Sequence, residues 1–420
     1  MSKSTNHVDV KLRPFKHQVG GHTCVLEISG TAICKPFTTK EAWFYKHVLD
    51  GLKDFIPKYL GETYVKCNIE SDRKCLVASV PNEILNTDFR GNLQQDQTSI
   101  VSNEPQKKRR RKSKECCDAD DSMLEAWSTT CIDRQINRYG FWANNQPQRF
   151  LILENLVHKY ERPCMMDLKM GRRQYGDDSC DEKRKLLEKR CARTTSVTLG
   201  FRICGSQVYD VRTGQYVCHN KYHGRKLDDK GAVQELVNFF HDGECVRIEA
   251  VQGVLDKLNA LKVAMATQKK FLFRAASLLL MYDAAPSRRK GDTFKENSGN
   301  NGNALNVDLV NNVPENCSHL VHSEANCSIH NGDNLIPQFS SNCAQTIGEK
   351  LPDNKTGSCV NCHSVAGNNE MEVVTDIRLI DFAHVSEITD VDNESTDDET
   401  ISFGLDKLRE IFNDILRRYK

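Results

Sequence analysis

The pattern of apolar and polar positions divides the chain into three stretches with a regular hydrophobic rhythm and two stretches without one. The regular stretches cover about residues 11–80, 139–283 and 371–420. The stretches 87–135 and 284–370 are polar and contain few of the apolar residues that would offset the entropy lost on ordering a chain. We therefore predict a folded core interrupted by two disordered inserts.

Strand-like alternation dominates the first regular stretch. Its spacing predicts, in order, the two strands of a hairpin, a helix, a loop and a further strand: Thr23–Ile28, Thr31–Lys35, Thr39 to about Asp50, Phe55–Tyr64 and Cys75–Val80. The helix is expected to begin at a capping box formed by residues 38–41, in which Glu41 would reach back to the first turn.

The second and third regular stretches mix both periodicities. Apolar runs predict the strands Phe150–Leu153, Ser196–Cys204, Gln207–Val211, Phe271–Tyr282 and Ile377–Phe382. Helical spacing predicts the helices Asp178–Cys191, Ala232–Phe240 and Val246–Ala266, and a final helix with one apolar face made by Leu405, Leu408, Phe412, Ile415 and Leu416. No apolar run approaches the roughly 20 residues that cross a membrane, so we expect no membrane insertion.

This order predicts an α+β fold with two lobes, in which ATP binds between an N-terminal antiparallel sheet and a larger mixed lobe. We place the N-terminal lobe at 11–154 and the C-terminal lobe at 155–420. A helical segment at 172–225 is expected to bind the second substrate.

The run Pro163–Gly171 is the most informative segment. Side chains alternate faces along a strand, so Asp167 and Lys169 point the same way while Met166, Leu168 and Met170 point into a core. An acid and a base on one wall of a cleft can hold a nucleotide and a phosphorylated substrate together. A surface ion pair on an edge strand is the alternative, and the run alone leaves both open.

Other residues supply the remaining parts of a phosphoryl-transfer site. Lys35 ends a predicted strand, from which a lysine can reach nucleotide phosphates, and Glu41 either orients it or caps its helix. Asp381 follows an apolar strand and offers the hard oxygen ligand that magnesium requires. The run Leu151–Leu156 is typical of a hinge that holds adenine through main-chain groups.

Positive charge is concentrated where the second substrate is expected. Residues 159–193 contain eleven Lys or Arg and seven Asp or Glu, a local net charge of +4. Lys183 and Arg190 share one helical face, and Lys221 and Arg225 flank Gly224 further on. The segment is either a pocket for a compact polyanion or a solvated charged helix.

Overall charge and cysteine usage restrict the function classes. The formal net charge is +1, which gives no field that would recruit nucleic acid. Residues 1–10 lack an apolar stretch, so we expect no signal peptide, reduced thiols for the 18 cysteines and a cytoplasmic protein. The basic run 107–112 is typical of either a solvated tail or a nuclear localisation signal.

These residues resemble the inositol polyphosphate kinase family, and its inositol hexakisphosphate kinase branch in particular. The signature Pro-x-x-x-Asp-x-Lys-x-Gly is present at 163–171. Further matching phrases occur in the expected order at 17–23, 34–36, 173–178, 220–225 and 380–384. The resemblance implies transfer of the γ-phosphoryl group of ATP, with Mg²⁺, to inositol hexakisphosphate, giving a pyrophosphate at position 5.

The resemblance also implies roles for individual residues. On the nucleotide side, Lys35 contacts phosphates, Glu154 and Leu156 hold adenine, Asp381 holds magnesium, and Asp167 contacts the ribose or orders the acceptor. On the acceptor side, Lys169 bridges the γ-phosphate and the substrate. The other substrate-binding positions are Pro163, Gly171, Lys183, Lys221, Arg225 and His384.

The chain departs from the family's Ser-Ser-Leu-Leu element at Ala276, although Ser277 remains.

An inositol polyphosphate multikinase acting on free hydroxyls is the nearest alternative, and the phrase 171–178 argues against it. A scaffold that binds inositol phosphates without turnover is disfavoured because the catalytic and ATP-binding side chains are intact: Lys35, Asp167, Lys169 and Asp381. A protein kinase is disfavoured because neither a His-Arg-Asp loop nor a Gly-x-Gly-x-x-Gly loop is present.

Overall fold

The computed structural model describes residues 7–21, 24–70, 73–85, 146–285, 288–289, 371–388 and 401–420. All of them belong to one compact unit, made of 1–293 and 368–420. The predicted insert 87–135, the basic run 107–112 and nearly all of 284–370 lie outside the described residues. Within the described part, no helix is long and apolar enough to cross a membrane.

A seven-stranded antiparallel sheet is built from residues before Asn155. Its strands are β1 (His7–Lys11), β2 (Arg13–Pro14), β3 (Leu26–Glu27), β4 (Ala32–Pro36), β5 (Tyr59–Glu70), β6 (Arg73–Pro81) and β7 (Gln148–Glu154). They lie in the order β1-β6-β5-β7-β4-β3-β2. In β4 the residues Ala32 and Cys34 are fully buried and alternate with Ile33 and Lys35, so Lys35 lies on the opposite face from the sheet's own core.

A five-stranded antiparallel sheet follows. Its strands are β8 (Pro163–Met170), β9 (Phe201–Asp210), β10 (Gln215–His219), β12 (Ser277–Asp283) and β15 (Thr375–Ile380). They lie in the order β10-β9-β8-β12-β15. Two short ladders complete the strands: β11 (Phe271–Leu272) with β16 (Ser386–Glu387), and β13 (Arg288–Arg289) with β14 (Met371–Glu372). Antiparallel sheets with separate helices are the α+β class that the sequence predicts.

Helices cover one face of the second sheet. In chain order, the helices of the described residues are α1 (Thr39–His47), α2 (Asp50–Lys53), α3 (Asn82–Leu85), α4 (Asp181–Cys191), α5 (Ser196–Leu199), α6 (Lys221–Gly224), α7 (Asp229–Phe239), α8 (Ile248–Thr267) and α9 (Ser402–Tyr419). Met166, Leu168 and Met170 are fully buried and share one apolar cluster with residues of α7, α8 and α9. The opposite face of β8 is therefore left to line the cleft.

Most predicted elements are present. The hairpin pairs β3 with β4, the strands around residues 75–80 and 150–153 are β6 and β7, and the three long helices 229–239, 248–267 and 402–419 agree with the apolar spacing. The predicted apolar face of the last helix is buried: its five residues are at most 6% exposed.

Three predicted boundaries are wrong. Phe55–Tyr64 is not a loop throughout, because β5 begins at Tyr59 and pairs with β7. Ser196–Leu199 forms the helix α5, and Gly200, with a φ of +70°, turns the chain into the single long strand β9. The run 271–282 is broken by Ala275, whose φ of +53° is incompatible with a continuous strand.

Candidate active site

A cleft of about 780 Å³, measured to its open mouth, lies between the two sheets. Its walls come from the loop at Gln18–Gly21, from β4 and β7 of the first sheet, and from β8, β12 and β15 of the second. It is lined by five residues to which the sequence assigns nucleotide binding: Lys35, Glu154, Leu156, Asp167 and Asp381.

Lys35 is held by two carboxylates at the head of the cleft. Its Nζ donates to Glu41 Oε1 at 3.0 Å and to Asp381 Oδ1 at 2.8 Å. Burial lowers the pKa of the Lys35 ammonium, but the charges and hydrogen bonds of Asp381 and Glu41 outweigh burial and hold the pKa above its ordinary value. Lys35 therefore stays charged, and it lines the cleft.

The capping-box prediction for Glu41 is wrong. Thr38, which precedes α1, makes no side-chain capping hydrogen bond, and the Glu41 side chain turns inward, where it is only 1% exposed. It accepts a hydrogen bond from the backbone N–H of Phe382 at 3.4 Å as well as from Lys35. Glu41 thus joins β4 to the segment that carries Asp381, which is the orienting role left open by the sequence.

Asp381 is placed by the packing of its neighbour. β15 ends at Ile380, and Asp381 has a φ of +65°, a left-handed conformation that is uncommon for residues other than glycine and is held here by a tertiary constraint. Phe382 supplies that constraint because it is fully buried and its ring lies 4.2 Å from the ring of Phe44. The turn directs the Asp381 carboxylate into the cleft.

Asp167 is a buried carboxylate with an unused acceptor. It is 3% exposed, and its Oδ1 has no hydrogen-bond partner among the described residues. Burial and the nearby Asp381 charge raise the pKa of Asp167 to about 6, and Lys169, Ser277 and Arg202 only partly oppose this rise. Such a group favours a ligand that brings positive charge or hydrogen-bond donors.

The loop at residues 17–21 lies directly over Asp167. Gln18 shapes the loop by donating to Gly20 O at 3.0 Å and accepting from Val25 N–H at 2.9 Å. A Cβ atom at Gly20 would overlap the Asp167 carboxylate, so only glycine permits this approach. The double glycine therefore has a steric function in this site. His22 and Thr23 lie outside the described residues.

The predicted hinge leaves one backbone donor available. Glu154 N–H donates to Lys58 O at 2.9 Å, and Asn155 N–H donates to Thr31 O at 2.8 Å. No hydrogen bond of the described residues uses the N–H of Leu156, which lines the cleft. A base edge could bind there through main-chain groups, as the sequence predicts.

β8 is a central strand, so the interpretation of Asp167 and Lys169 as an edge-strand ion pair is wrong. Asp167 pairs with Leu279 of β12 on one side and Gly205 of β9 on the other. Lys169 pairs with Ser277 and Arg202 in the same way. Its Nζ donates a short hydrogen bond to Ala275 O, and its side chain is half-buried.

The departure at Ala276 has a structural explanation. Ala276 is fully buried in the main apolar cluster, so its methyl group faces the core and not the cleft. The serine that remains, Ser277, opposes Lys169 across the sheet and hydrogen-bonds the Asp167 carboxylate. The residue that touches the site is thus retained.

A first group of cations surrounds His384, past the end of β15. Burial lowers the pKa of His384, and the charges of Lys183 and Lys169 lower it further. His384 Nδ1 is buried without a hydrogen-bond partner among the described residues, next to Gly176. Lys183 of α4 therefore faces the same region as Lys169, which favours the polyanion pocket over a purely solvated helix.

A second group of cations consists of Arg190, Arg202 and Arg225, of which the sequence analysis missed Arg202. Arg202 of β9 is 6% exposed, and its Nη1 has no hydrogen-bond partner among the described residues. Burial lowers the pKa of Arg225, and so do the charges of Arg190 and Arg202. A charged residue inside the otherwise apolar run Phe201–Ile203 was the available signal. Three arginines held together imply an anionic ligand.

The remaining predicted substrate positions differ in their placement. Lys221 begins α6, and its Nζ lies 5.6 Å from the centroid of the Tyr222 ring, next to Arg225. Gly171 has a φ of +81° and donates to Gly200 O at 2.8 Å, so it terminates β8. Pro163 begins β8, six residues or roughly 20 Å from Lys169, and does not line the cleft. Its contribution is to the strand.

Comparison with known proteins agrees with this geometry. A family model described as inositol polyphosphate kinase matches residues 150–413. The chain belongs to the inositol polyphosphate kinase family. The family match contains the signature at 163–171 and Asp381, whereas Lys35 and the glycine loop precede it.

Two relatives and one solved structure are similar to this chain. Inositol hexakisphosphate kinase 3 of Mus musculus is 35% identical over 316 residues, 66% of this chain and 80% of that protein. Inositol hexakisphosphate kinase 2 of Rattus norvegicus is 33% identical over 319 residues, 65% and 75% of the two chains. A Saccharomyces cerevisiae inositol phosphate multikinase in complex with ADP and Mn²⁺ aligns with a TM-score of 0.45 at 16% identity, covering 92% of this chain and 99% of that one.

Proposed function

We propose that the protein transfers the γ-phosphoryl group of ATP to a phosphate of inositol hexakisphosphate and so forms a diphosphoinositol product. Both relatives above carry the name inositol hexakisphosphate kinase. The observation that carries the proposal is the place of Lys169 between the cleft and the cations: its charge acts on Asp167 of the cleft and on His384, and it pairs with Arg202 across the sheet.

The arrangement matches the demands of this reaction. Every hydroxyl of inositol hexakisphosphate is esterified, so the attacking atom is a phosphate oxygen that is already ionised and needs no strong general base. Catalysis then depends on positioning two polyanions and reducing their repulsion. Lys35 would hold the nucleotide phosphates, and Lys169 would lie between the two substrates.

The acceptor's charge requires many cations, and the site contains them. Lys183 and Lys169 both act on His384, and Arg202, which pairs with Lys169 across the sheet, acts together with Arg190 on Arg225. A buried arginine with an unused donor, such as Arg202, gains most from a ligand that accepts hydrogen bonds. The high cation density favours a heavily phosphorylated inositol as the substrate.

The carboxylates fit a divalent cation. Asp167 Oδ1 is buried without a hydrogen-bond partner among the described residues, and Asp381 lies near enough to raise its pKa. Hard cations such as Mg²⁺ prefer carboxylate oxygens of this kind. A bound Mg²⁺ would neutralise charge on the ATP phosphates. Asp381 is the assigned ligand, and Asp167 serves either the ribose or the acceptor region.

The product of the reaction tests the proposal. The full chain is incubated with Mg²⁺-ATP and inositol hexakisphosphate, and the product is examined by phosphorus NMR. We expect the paired signals of a diphosphate group on the inositol, with the position of the new group read from its coupling to the ring.

A matched assay separates the proposal from its nearest alternative. A multikinase would phosphorylate an inositol that has free hydroxyls and would form no diphosphate from the hexakisphosphate. Asp381→Ala serves as the inactive control, in which inositol phosphate binding should be retained while turnover is lost. Turnover of only the less phosphorylated substrate would overturn the proposal in favour of the multikinase.

A further inference from the structure

A cluster of potential metal ligands lies outside the cleft. His219 ends β10, His223 lies in α6, and Glu235 lies in α7. Each residue offers one ligand atom, and these atoms all lie within 4.8 Å of one another. Within the described part of the chain, this is the group of three or more such residues that meets the geometry of a metal site.

The local structure fixes all three side chains. Asn220 caps α6 by accepting from Tyr222 N–H at 2.9 Å and His223 N–H at 3.3 Å, which sets the turn between the two histidines. The two imidazole rings stack with centroids 4.2 Å apart. Glu235 is 6% exposed, so its carboxylate has few directions in which to turn.

The internal contacts leave the cluster incompletely satisfied. His219 Nδ1 lies 2.5 Å from Glu235 Oε1, whereas His223 Nε2 lies 3.5 Å from Glu235 Oε2, too far for a good hydrogen bond. His223 Nε2 is nevertheless buried. Buried ring nitrogens normally have a partner, so the second histidine has an unused lone pair or proton at the carboxylate.

We propose that His219, His223 and Glu235 form a zinc-type metal site that ties β10, α6 and α7 together. Two imidazoles and one carboxylate are a common protein donor set for zinc, with water in the fourth position. Ligand atoms around zinc lie roughly 3.4 Å apart. The His223–Glu235 separation of 3.5 Å already fits this spacing, whereas the His219–Glu235 contact of 2.5 Å must open by about 1 Å. Nitrogen donors exclude Mg²⁺ and Ca²⁺ as the preferred ions.

The metal would act on the segment that carries predicted substrate cations. Lys221 lies between the two histidines in sequence, and Arg225 directly follows α6. A clamp at His219 and His223 would restrict this segment before any substrate binds. The proposal concerns metal binding alone and does not depend on the kinase assignment.

Zinc titration of the metal-free full chain tests the proposal, with a chromophoric chelator as competitor. We expect one zinc equivalent that is weakened at least about tenfold in His223→Ala and in Glu235→Gln. His7→Ala, which removes an exposed histidine from β1, is the matched control and should bind as the unchanged chain does.

A cobalt spectrum separates this site from binding by the 18 cysteines. Co²⁺ bound to nitrogen and oxygen gives d–d bands without the thiolate charge-transfer band that cysteine ligands produce. Circular dichroism of the metal-free variants checks that they fold. If Glu235→Gln does not fold, the zinc affinity of His223→Ala decides the test, because His223 is partly exposed and its replacement disturbs the core less. Unchanged zinc affinity in His223→Ala, or a cobalt spectrum dominated by thiolate charge transfer, would overturn the proposal and leave an ion pair.

Discussion

At the scale of single residues, the site is defined by charged side chains that are buried without a full set of hydrogen-bond partners. Asp167 is a carboxylate buried beside a second carboxylate, and Arg202 is a guanidinium buried with an unused donor. Each costs stability in the ligand-free protein because desolvation opposes its charge. Such groups are retained where a ligand supplies the missing partner.

Replacing Asp167 by asparagine should stabilise the fold and abolish turnover. The pKa of Asp167 is about 6 in the folded chain, above the ordinary aspartate value of 3.8 that applies to the unfolded chain, so the folded carboxyl prefers its protonated form. Protonated Asp167 therefore adds to the free energy of unfolding at low pH, and this contribution is lost as pH rises from 3.8 through 6. At pH 7 the variant should gain on the order of 3 kcal/mol, and the gain should shrink between pH 6 and pH 4.

Urea unfolding at pH 7 and at pH 5 measures this effect. Asp9→Asn is the matched control because it makes the same chemical change at an exposed position on β1 and should leave stability unchanged. A variant at Asp167 that is no more stable at pH 7 than the unchanged chain would show that the buried carboxylate carries no such strain.

At the scale of elements, the segments that line the cleft are positioned by contacts with neighbouring elements. Gly205 illustrates this, because a side chain there would collide with the carbonyl of Val19 in the loop over the cleft. β9 thus seats the glycine loop, the loop covers Asp167, and Asp167 lies on the strand paired with β9. One steric change in this stack should disturb nucleotide binding.

Gly20→Ala should lower kcat/KM for ATP by at least about tenfold, since its Cβ would overlap the Asp167 carboxylate. Gly30→Ala is the matched control, because no atom lies within 4 Å of the added methyl group. Steady-state kinetics and the melting temperatures of both variants provide the test. Equal kinetics for the two variants would mean that the loop moves away from Asp167 in solution.

The helix α4 supports a second prediction. Lys183 contributes to the field at His384, so Lys183→Ala should raise the KM for inositol phosphate roughly tenfold and change the KM for ATP little. Lys185→Ala removes an exposed charge of the same kind from another side of α4. If both variants shift the KM for inositol phosphate equally, the effect belongs to the general field of the helix.

At the scale of the whole molecule, the described residues form a compact unit, and two long segments of the chain, 86–145 and 290–370, lie outside the described residues. The segment 290–370 leaves and re-enters at paired strands. Arg289 of β13 lies opposite Met371 of β14 in an antiparallel ladder, so its two ends are neighbours. A short turn could therefore join them without moving either strand.

Replacing residues 290–370 by a hairpin turn of about four residues should preserve activity and stability. We expect kcat and both KM values within about threefold of the full chain, with an unchanged melting temperature for the core. Kinetics and calorimetry of the shortened chain make the comparison. A loss of activity beyond tenfold in a folded product would assign a catalytic or regulatory role to the removed segment.

Much of the fold could be predicted because hydrophobic periodicity reports burial directly. β6, β7 and the helices α7, α8 and α9 follow from it. The failures occur where a single backbone conformation decides: Gly200 and Ala275, each with a positive φ, interrupt runs that look continuous in sequence. The prediction for Glu41 was wrong for another reason: its carboxylate accepts a hydrogen bond from Lys35, a tertiary partner, instead of capping its own helix.

The family signature, the alternation that separates Asp167 from Met166 and Leu168, and the residue types needed for phosphoryl transfer can all be read from the amino-acid sequence. The central position of β8, the shared contact of Glu41 and Asp381 with Lys35, and the grouping of Arg202 with Arg190 and Arg225 are visible only in the folded chain. The physical reason is that periodicity is a local property. Contacts such as Lys35 with Asp381, 346 residues apart, depend on how the sheets pack.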